Sequence, residues 1–114
     1  MTKQMDNNAF KHVVMGEQAN GYQLANTHGL KAFFTNFGQR LVSLLVPDKS
    51  GKLEDIVLGY SNLEGYLNSK EPYFGAIIGR YANRINNGKF TIDSKKHKLH
   101  QNNGPHHLHV YVVK

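Results

Sequence analysis

The sequence predicts an all-β protein with one short helical turn. Seven or eight short segments of apolar or alternating residues follow one another at close spacing, which is typical of an all-β architecture. Only one segment carries a helix-start pattern, and no internal repeat or low-complexity stretch is present. At 114 residues the chain forms one domain at most. We expect a frayed polar start over residues 1–9 and a domain over residues 10–114.

The first half of the chain contains most of the strand patterns. Residues 22–26 alternate apolar and polar side chains, as a half-buried strand does. Residues 41–46 form a nearly continuous apolar run, which suits a strand covered on both faces. Five strands are predicted here, over residues 10–14, 22–26, 30–35, 41–46 and 55–60. Turns or bends separate them at residues 26–29, 36–38 and 47–52.

The second half adds the helical turn and a β-hairpin. Ser61 and Glu64 match a capping box, which predicts a helical turn over residues 62–67. Residues 75–79 are rich in Gly and Ala, so we expect close packing against a neighbouring strand. Strands over residues 89–92 and 97–100 flank a turn at 93–96 and predict a hairpin. A loop over residues 102–105 and a last strand over 107–113 follow.

Composition excludes several classes of protein. The chain has no cysteine, so disulfide scaffolds, thiolate metal sites and Cys nucleophiles are excluded. Its N-terminus lacks the apolar core of a signal peptide, and its longest apolar run is six residues, so no membrane partner and a cytoplasmic location are expected. A net charge of +6 raises the question of a nucleic-acid partner. The only basic run, Lys95 to Lys98, falls at the predicted hairpin tip, which favours a solvated turn.

Two polar clusters carry the residues that could bind a ligand. The first ends in Arg80, Asn83 and Arg84, and the second runs from Asn102 to His109. The hairpin predicted between them brings its two ends side by side, and with them Arg84 and His109. Together with the Asn83 amide, these side chains could bind vicinal hydroxyls and a ring oxygen of a sugar. An ion pair between Arg84 and a local carboxylate is an equally common use of such an arginine.

The chain resembles a known family along most of its length. The segments that carry the resemblance are Thr35-Asn36-Phe37-Gly38, Leu41-Val42-Ser43-Leu44, Val46-Pro47-Asp48-Lys49, Gly51, Asp55-Ile56-Val57-Leu58-Gly59-Tyr60, Gly65-Tyr66-Leu67, Tyr73-Phe74-Gly75, Gly79-Arg80-Tyr81-Ala82-Asn83-Arg84-Ile85, Gly88-Lys89-Phe90, Asn102-Asn103-Gly104-Pro105 and Leu108-His109. In this order they resemble the N-terminal part of the aldose 1-epimerases, the galactose mutarotases. The most specific of them is Gly79 to Ile85.

The resemblance implies a fold, a reaction and a set of binding residues. It implies a galactose mutarotase-like β-sandwich of the supersandwich type, and interconversion of the α- and β-anomers of aldohexoses such as galactose and glucose. It places the sugar-binding residues at Asn83, Arg84 and His109. No cofactor and no metal ion are implied. The expected partner is a small aldohexose and not nucleic acid.

The sequence departs from the family after His109. Family members continue with a glycine pair and many more strands, whereas here Val110 to Lys114 follow. The family's catalytic histidine (the proton donor) and glutamate (the base) match no residue of this chain, so no catalytic residue is assigned. We therefore interpret residues 10–114 as a truncated N-terminal part of a mutarotase-like domain. We expect little activity from it, and self-association through unpaired strands.

Other interpretations of the same residues remain open. His107 and His109 would point to one face of a strand and, with His97, His100 or His106, could form a zinc site. The simpler interpretation is that His97, His100, His106 and His107 are exposed polar residues. For Arg80 we expect a structural salt bridge or a loop-bracing role, and for Tyr73, Phe74 and Tyr81 a place in the core or a pocket wall. The alternative function is a non-catalytic carbohydrate-binding or regulatory module, and a basic nucleic-acid binder ranks last.

Overall fold

The chain consists of two compact units, the first unit ending at Ile77 and the second unit beginning at Ile78. The computed structural model describes residues 5–71 and 73–109. In the first unit the elements are β1 (His12–Val14), β2 (Glu17–Ala19), β3 (Gly21–Ala25), β4 (Lys31–Thr35), β5 (Arg40–Pro47), β6 (Leu53–Asp55) and helix α1 (Leu63–Asn68). In the second unit they are β7 (Arg84–Ile85), β8 (Lys89–Ile92), β9 (Lys95–Lys98) and β10 (His107–Leu108). The predicted strand-rich chain with one α-helix is confirmed.

The main sheet of the first unit is antiparallel and has the strand order β3-β4-β5-β6. A register shift lies between Phe33 and Phe34, where β4 pairs with β5. Val42 and Ser43 are adjacent in β5 and both are buried. Because neighbouring strand residues point to opposite faces, β5 is covered on both faces at this point, as its apolar run predicts.

The core of the first unit is small and aromatic. The rings of Phe10 and Phe33 lie 5.2 Å apart, and Tyr66 packs beside them with its centroid 6.3 Å from that of Phe10. Burial raises the pKa of the Tyr66 hydroxyl, which accepts a hydrogen bond from the Tyr60 backbone N–H at 3.3 Å. The guanidinium of Arg40 is also buried, 4.5 Å from the ring centre of Phe37. The buried apolar residues are Phe10, Ala19, Phe33, Val42, Leu63 and Tyr66.

The strand predicted over residues 55–60 is wrong: β6 occupies Leu53–Asp55 instead. The reason is the side chain of Asp55. Its carboxylate accepts hydrogen bonds from the backbone N–H groups of Leu44 at 3.0 Å and Val57 at 3.1 Å. A side-chain acceptor thus takes N–H groups that strand partners would otherwise bind, and pairing with β5 ends at Asp55.

Two further details of the first unit correct the sequence predictions. Asn62, and not Ser61, caps α1, because its side-chain oxygen accepts from the Gly65 N–H at 2.8 Å. The strand at residues 22–26 is present as β3 but is not half-buried, since Tyr22 and Leu24 are 50% and 63% exposed. β3 is an edge strand, and its apolar side chains are left uncovered among the described residues.

The hairpin of the second unit is confirmed, with a shorter turn than predicted. Asp93 and Ser94 both have positive φ values, 47° and 63°, which is typical of a two-residue type I′ turn. Lys95 and Lys96 therefore belong to β9 and not to the turn. On one side of the hairpin Phe90 stacks on the ring of His97 at 4.9 Å.

The beginning of the described chain is ordered by a short 3-10 turn. Asn7–Phe10 forms this turn, and the Asp6 carboxylate accepts from the Asn8 N–H at 2.8 Å. Phe10 inserts fully into the core. The division into a frayed start over residues 1–9 and a domain over residues 10–114 stays a prediction, and residues 1–4 lie outside the described part. No helix among residues 5–71 and 73–109 is long and apolar enough to cross a membrane.

Gly75 lies in the glycine-rich stretch over residues 75–79 and contacts β5 through its backbone. This close contact makes the position sensitive to substitution. Its carbonyl accepts from the Leu41 N–H at 3.0 Å, and its φ is +67°. A Cβ at this position would collide with the backbone carbonyl of Leu41. We expect Gly75→Ala to lower the free energy of unfolding by roughly 3 kcal/mol or more, as left-handed strain adds to a backbone collision.

The matched control for this change is Gly29→Ala. Gly29 has a φ of +88°, but a Cβ there would meet nothing within 4 Å. Gly29→Ala should lower the free energy of unfolding only by the cost of a left-handed backbone, about 1–2 kcal/mol. Urea unfolding of both variants measures the difference, and equal losses would show that Gly75 makes no close approach to β5.

Candidate functional site

The pairing of β7 with β10 brings the two polar clusters together in the second unit. Arg84 lies opposite Leu108 and Ile85 lies opposite His107 in an antiparallel register. The β8–β9 hairpin lies between β7 and β10 in the chain, as the sequence predicts. Asn83 precedes β7 and His109 follows β10, so these two residues meet at the same end of the pair.

Asn83 and His109 are joined by two reciprocal hydrogen bonds. The His109 N–H donates to the Asn83 carbonyl at 2.9 Å, and the Asn83 N–H donates to Nδ1 of the His109 ring at 3.0 Å. Both residues have positive φ, 67° for Asn83 and 51° for His109. This conformation is uncommon for residues other than glycine, although Asn and His are enriched in it. The two hydrogen bonds offset its cost.

The hydrogen bond to Nδ1 fixes the tautomer of His109. A nitrogen that accepts from a backbone N–H carries no proton, so the neutral ring has its proton on Nε2. His109 thus presents an N–H donor at Nε2. Such a ring can donate a hydrogen bond to a hydroxyl or ring oxygen, whereas protonation of Nδ1 would break the bond to Asn83.

Arg84 is positioned by two asparagines. Its backbone N–H donates to Oδ1 of Asn83 at 2.8 Å, and its side-chain Nε donates to Oδ1 of Asn103 at 2.9 Å. Arg84 is exposed, and no carboxylate of the described residues lies within 4.0 Å of it. The alternative use of Arg84, an ion pair with a local carboxylate, is therefore not found in this part of the chain.

Sequence reasoning missed the amides that support this site. Asn102 donates from Nδ2 to the Leu108 carbonyl at 3.0 Å and accepts from the Leu108 N–H at 2.6 Å. Gln101 donates to the carbonyl of Pro105 at 2.8 Å. Both amides hold the loop that precedes β10, the strand that His109 follows. Their place in a dense Asn-rich cluster was the only sequence feature that could have indicated this role.

The histidines differ from the simple interpretation of four exposed rings. His107 is buried, and its Nδ1 bonds to the carbonyl of His100, so Nδ1 is the protonated nitrogen. His106 is half-buried and accepts from the Asn87 N–H at 3.1 Å, and His97 is half-buried against Phe90. Of the four, only His100 is exposed as predicted.

The zinc hypothesis depended on His107 and His109 sharing one face of a strand. The strand β10 ends at Leu108, and His109 adopts a positive φ. His109 is therefore outside the strand, and the alternation that would place it on the same face as His107 does not apply. No group of three or more His, Asp or Glu side chains suited to a metal ion occurs in the part of the chain that the structure describes.

Arg80, Tyr81 and Phe74, which the sequence analysis also considered, take part in none of the hydrogen bonds described above. Arg80 is exposed and forms no ion pair within the described ranges, so the salt bridge is not found there, and the loop-bracing role stays a prediction. Tyr81 is 62% exposed and is not a core residue. Phe74 packs against the core of the first unit and stacks on Tyr60 at 6.0 Å, as predicted for a core residue.

Comparison with known proteins identifies the family. The family model described as aldose 1-epimerase matches residues 21–112. The chain belongs to the aldose 1-epimerase family. The resemblance to this family is therefore confirmed. The matched range includes the Gly79–Ile85 and Leu108–His109 motifs that carry it.

Two relatives show how far the similarity to other aldose 1-epimerases extends. Galactose mutarotase from Bos taurus is 50% identical over 80 residues, which are 70% of this chain and 23% of that protein. Aldose 1-epimerase from Haemophilus influenzae is 36% identical over 86 residues, which are 75% of this chain and 24% of that protein. The chain thus spans about a quarter of the length of the curated relatives it matches.

Solved structures of aldose 1-epimerases confirm the fold. An aldose epimerase homologue from C. elegans superposes with a TM-score of 0.72 at 38% identity, covering 80% of this chain and 28% of that structure. Galactose 1-epimerase from Lactobacillus acidophilus superposes with a TM-score of 0.65 at 24% identity, covering 86% of this chain and 28% of that structure. The second likeness supports the fold alone. The predicted all-β, galactose mutarotase-like class is therefore correct.

Proposed function

We propose that this chain carries the sugar-holding part of an aldose 1-epimerase site, in which Asn83, Arg84 and His109 contact an aldohexose such as galactose or glucose. The observation that carries the proposal is the convergence of these three residues at one end of the β7–β10 pair. His109 is 25 residues from Arg84 in sequence (109 − 84 = 25), so the chain must fold to bring it beside Asn83 and Arg84. The family match supports the same assignment.

The chemistry of the three side chains suits a neutral, hydroxyl-rich ligand. Arg84 has four N–H donors on its Nη atoms and Asn83 has two on Nδ2, while the proton of the neutral His109 ring is on Nε2. All are donors, and the acceptors of Asn83 and His109 are already used within the site. A ligand that offers oxygen acceptors, as sugar hydroxyls and a ring oxygen do, complements this set.

The proton transfers of mutarotation need an acid and a base within hydrogen-bond reach of the reacting oxygens. Residues 78–109 contain a single carboxyl side chain, Asp93, in the exposed turn of the hairpin. His109 uses Nδ1 to accept from Asn83, so that nitrogen is not available as a base. We therefore expect the 114-residue chain to hold a sugar but to interconvert its anomers slowly.

A galactose titration of the full chain tests this function. We expect Arg84→Ala to weaken galactose binding by roughly tenfold or more, the usual effect of losing hydrogen bonds to a charged group. The control is Arg80→Ala, which removes the same charge from an exposed arginine outside the site. Calorimetry or NMR titration measures both variants.

Two outcomes would contradict the proposal. Equal affinities for Arg84→Ala and Arg80→Ala would show that Arg84 is not a ligand contact. Polarimetry of fresh α-galactose should give a rate close to the uncatalysed one. Catalysis well above that rate would show that this chain contains an acid–base pair of its own.

We also propose that the chain self-associates through the edge of its main sheet. β3 is an edge strand, because no other strand of the described residues pairs with its outer side, and its Tyr22 and Leu24 side chains are exposed. An exposed apolar edge strand is a template for pairing with another chain. Two copies of β3 could pair in this way.

Sedimentation velocity at increasing protein concentration tests this association. We expect concentration-dependent dimers or larger species, and we expect Leu24→Lys to suppress them by placing a charge on the edge. Met15→Lys is the matched control, because Met15 is 82% exposed in the turn of the separate β1–β2 sheet. A monomer at all concentrations, or equal suppression by both variants, would contradict the edge-pairing proposal.

A further inference from the structure

We propose that Asn103 is a positioning residue that selects which edge of the Arg84 guanidinium meets a ligand. The inference rests on the proposed function, because it takes Arg84 as a sugar contact. It goes beyond that function by assigning a role to a residue outside the predicted site. It also states the geometry of the ligand that Arg84 would recognise.

A guanidinium offers two edges for paired hydrogen bonds. One edge consists of Nε and one Nη atom, and the other consists of the two Nη atoms. The Oδ1 atom of Asn103 lies 2.9 Å from Nε of Arg84 and accepts its only proton. The first edge is therefore occupied, and paired recognition is left to the two Nη atoms.

Asn103 is held in place by its own turn and is not a freely moving surface amide. Its backbone N–H donates to the carbonyl of His106 at 3.1 Å, and the His106 N–H donates back to the Asn103 carbonyl at 3.0 Å. Gly104, within this turn, has a φ of +55°. The side chain of Asn103 is half-buried, whereas Asn102 and Gln101 beside it are exposed.

The choice of an amide at this position preserves the charge of Arg84. A carboxylate that accepted from Nε would form an ion pair and compete with a ligand for the guanidinium. The amide oxygen fixes the guanidinium plane and leaves its full positive charge. Arg84 then presents two parallel donor groups to two adjacent oxygen atoms. Vicinal hydroxyls of a pyranose, or one hydroxyl and the ring oxygen, provide such a pair.

The side-chain Nε–H resonance of Arg84 reports directly on this contact. The chain has three arginines, so three Nε–H signals are expected in a ¹⁵N-labelled sample, and Arg84→Lys identifies the one of interest. In Asn103→Ala we expect the exchange of this proton with water to accelerate by roughly tenfold and galactose affinity to fall by roughly fivefold, the factor of a typical hydrogen bond.

Two further variants separate positioning from a general structural role. Asn103→Asp keeps an oxygen acceptor for Nε, so slow exchange of the Nε proton should be retained. Asn86→Ala removes an exposed asparagine of the same unit but leaves the Asn103 acceptor of Arg84 in place, and it should behave like the unaltered chain. For the Nε proton, the expected pattern is slow exchange in Asn103→Asp and fast exchange in Asn103→Ala.

The outcomes distinguish this inference from the proposed function. An unchanged Nε exchange rate in Asn103→Ala would overturn the positioning role, whatever the chain binds. Unchanged galactose affinity in Asn103→Ala, with binding intact in the unaltered chain, would overturn the selection of an edge. Absence of galactose binding by the unaltered chain would overturn the proposed function and the ligand geometry drawn from it, while the Nε measurement still decides whether Asn103 holds Arg84.

Discussion

The reciprocal hydrogen bonds between Asn83 and His109 are the interaction on which the site of the second unit depends. They join two residues that both adopt left-handed backbone conformations. For a side chain other than glycine this conformation costs about 1–2 kcal/mol, and it persists where surrounding contacts require it. The same bonds set the ring of His109 as a donor and place the Asn83 side chain against the Arg84 N–H. Backbone geometry and binding chemistry are thus fixed together.

Neutral amides, and not charges, build the surroundings of this site. Asn102 binds the backbone of Leu108 in both directions, and Asn103 binds the side chain of Arg84. A carboxamide carries a donor and an acceptor on one group, so it can bridge backbone groups without adding charge. Residues 78–109 contain one carboxyl side chain, and no ion pair of Arg84 occurs among the described residues. Under the proposed function, an unpaired guanidinium suits hydroxyl recognition better than one already paired with an acid.

Local patterns predicted the parts of the fold that depend on local sequence. The β8–β9 hairpin and β5 follow from alternation and an apolar run, and α1 lies within one residue of the helical turn predicted from the Ser61–Glu64 pattern, although Asn62 is its N-cap. The predictions failed where one side chain replaces a backbone partner, as Asp55 does at the end of β6. The approach of Asn83 and Arg84 to Leu108 and His109 was predictable from the hairpin between them. The roles of Asn103 and of buried His107 were not, because they depend on contacts across a loop that periodicity does not describe.

The tautomer of His109 tests the central constraint most directly. Long-range ¹⁵N–¹H NMR of the ring nitrogens distinguishes protonated from unprotonated positions. The reciprocal bond predicts an unprotonated Nδ1 and a protonated Nε2 for His109. The opposite tautomer is predicted for His107, which donates from Nδ1 to His100 and serves as an internal control. A protonated Nδ1 in His109 would contradict the bond to Asn83 and the site built on it.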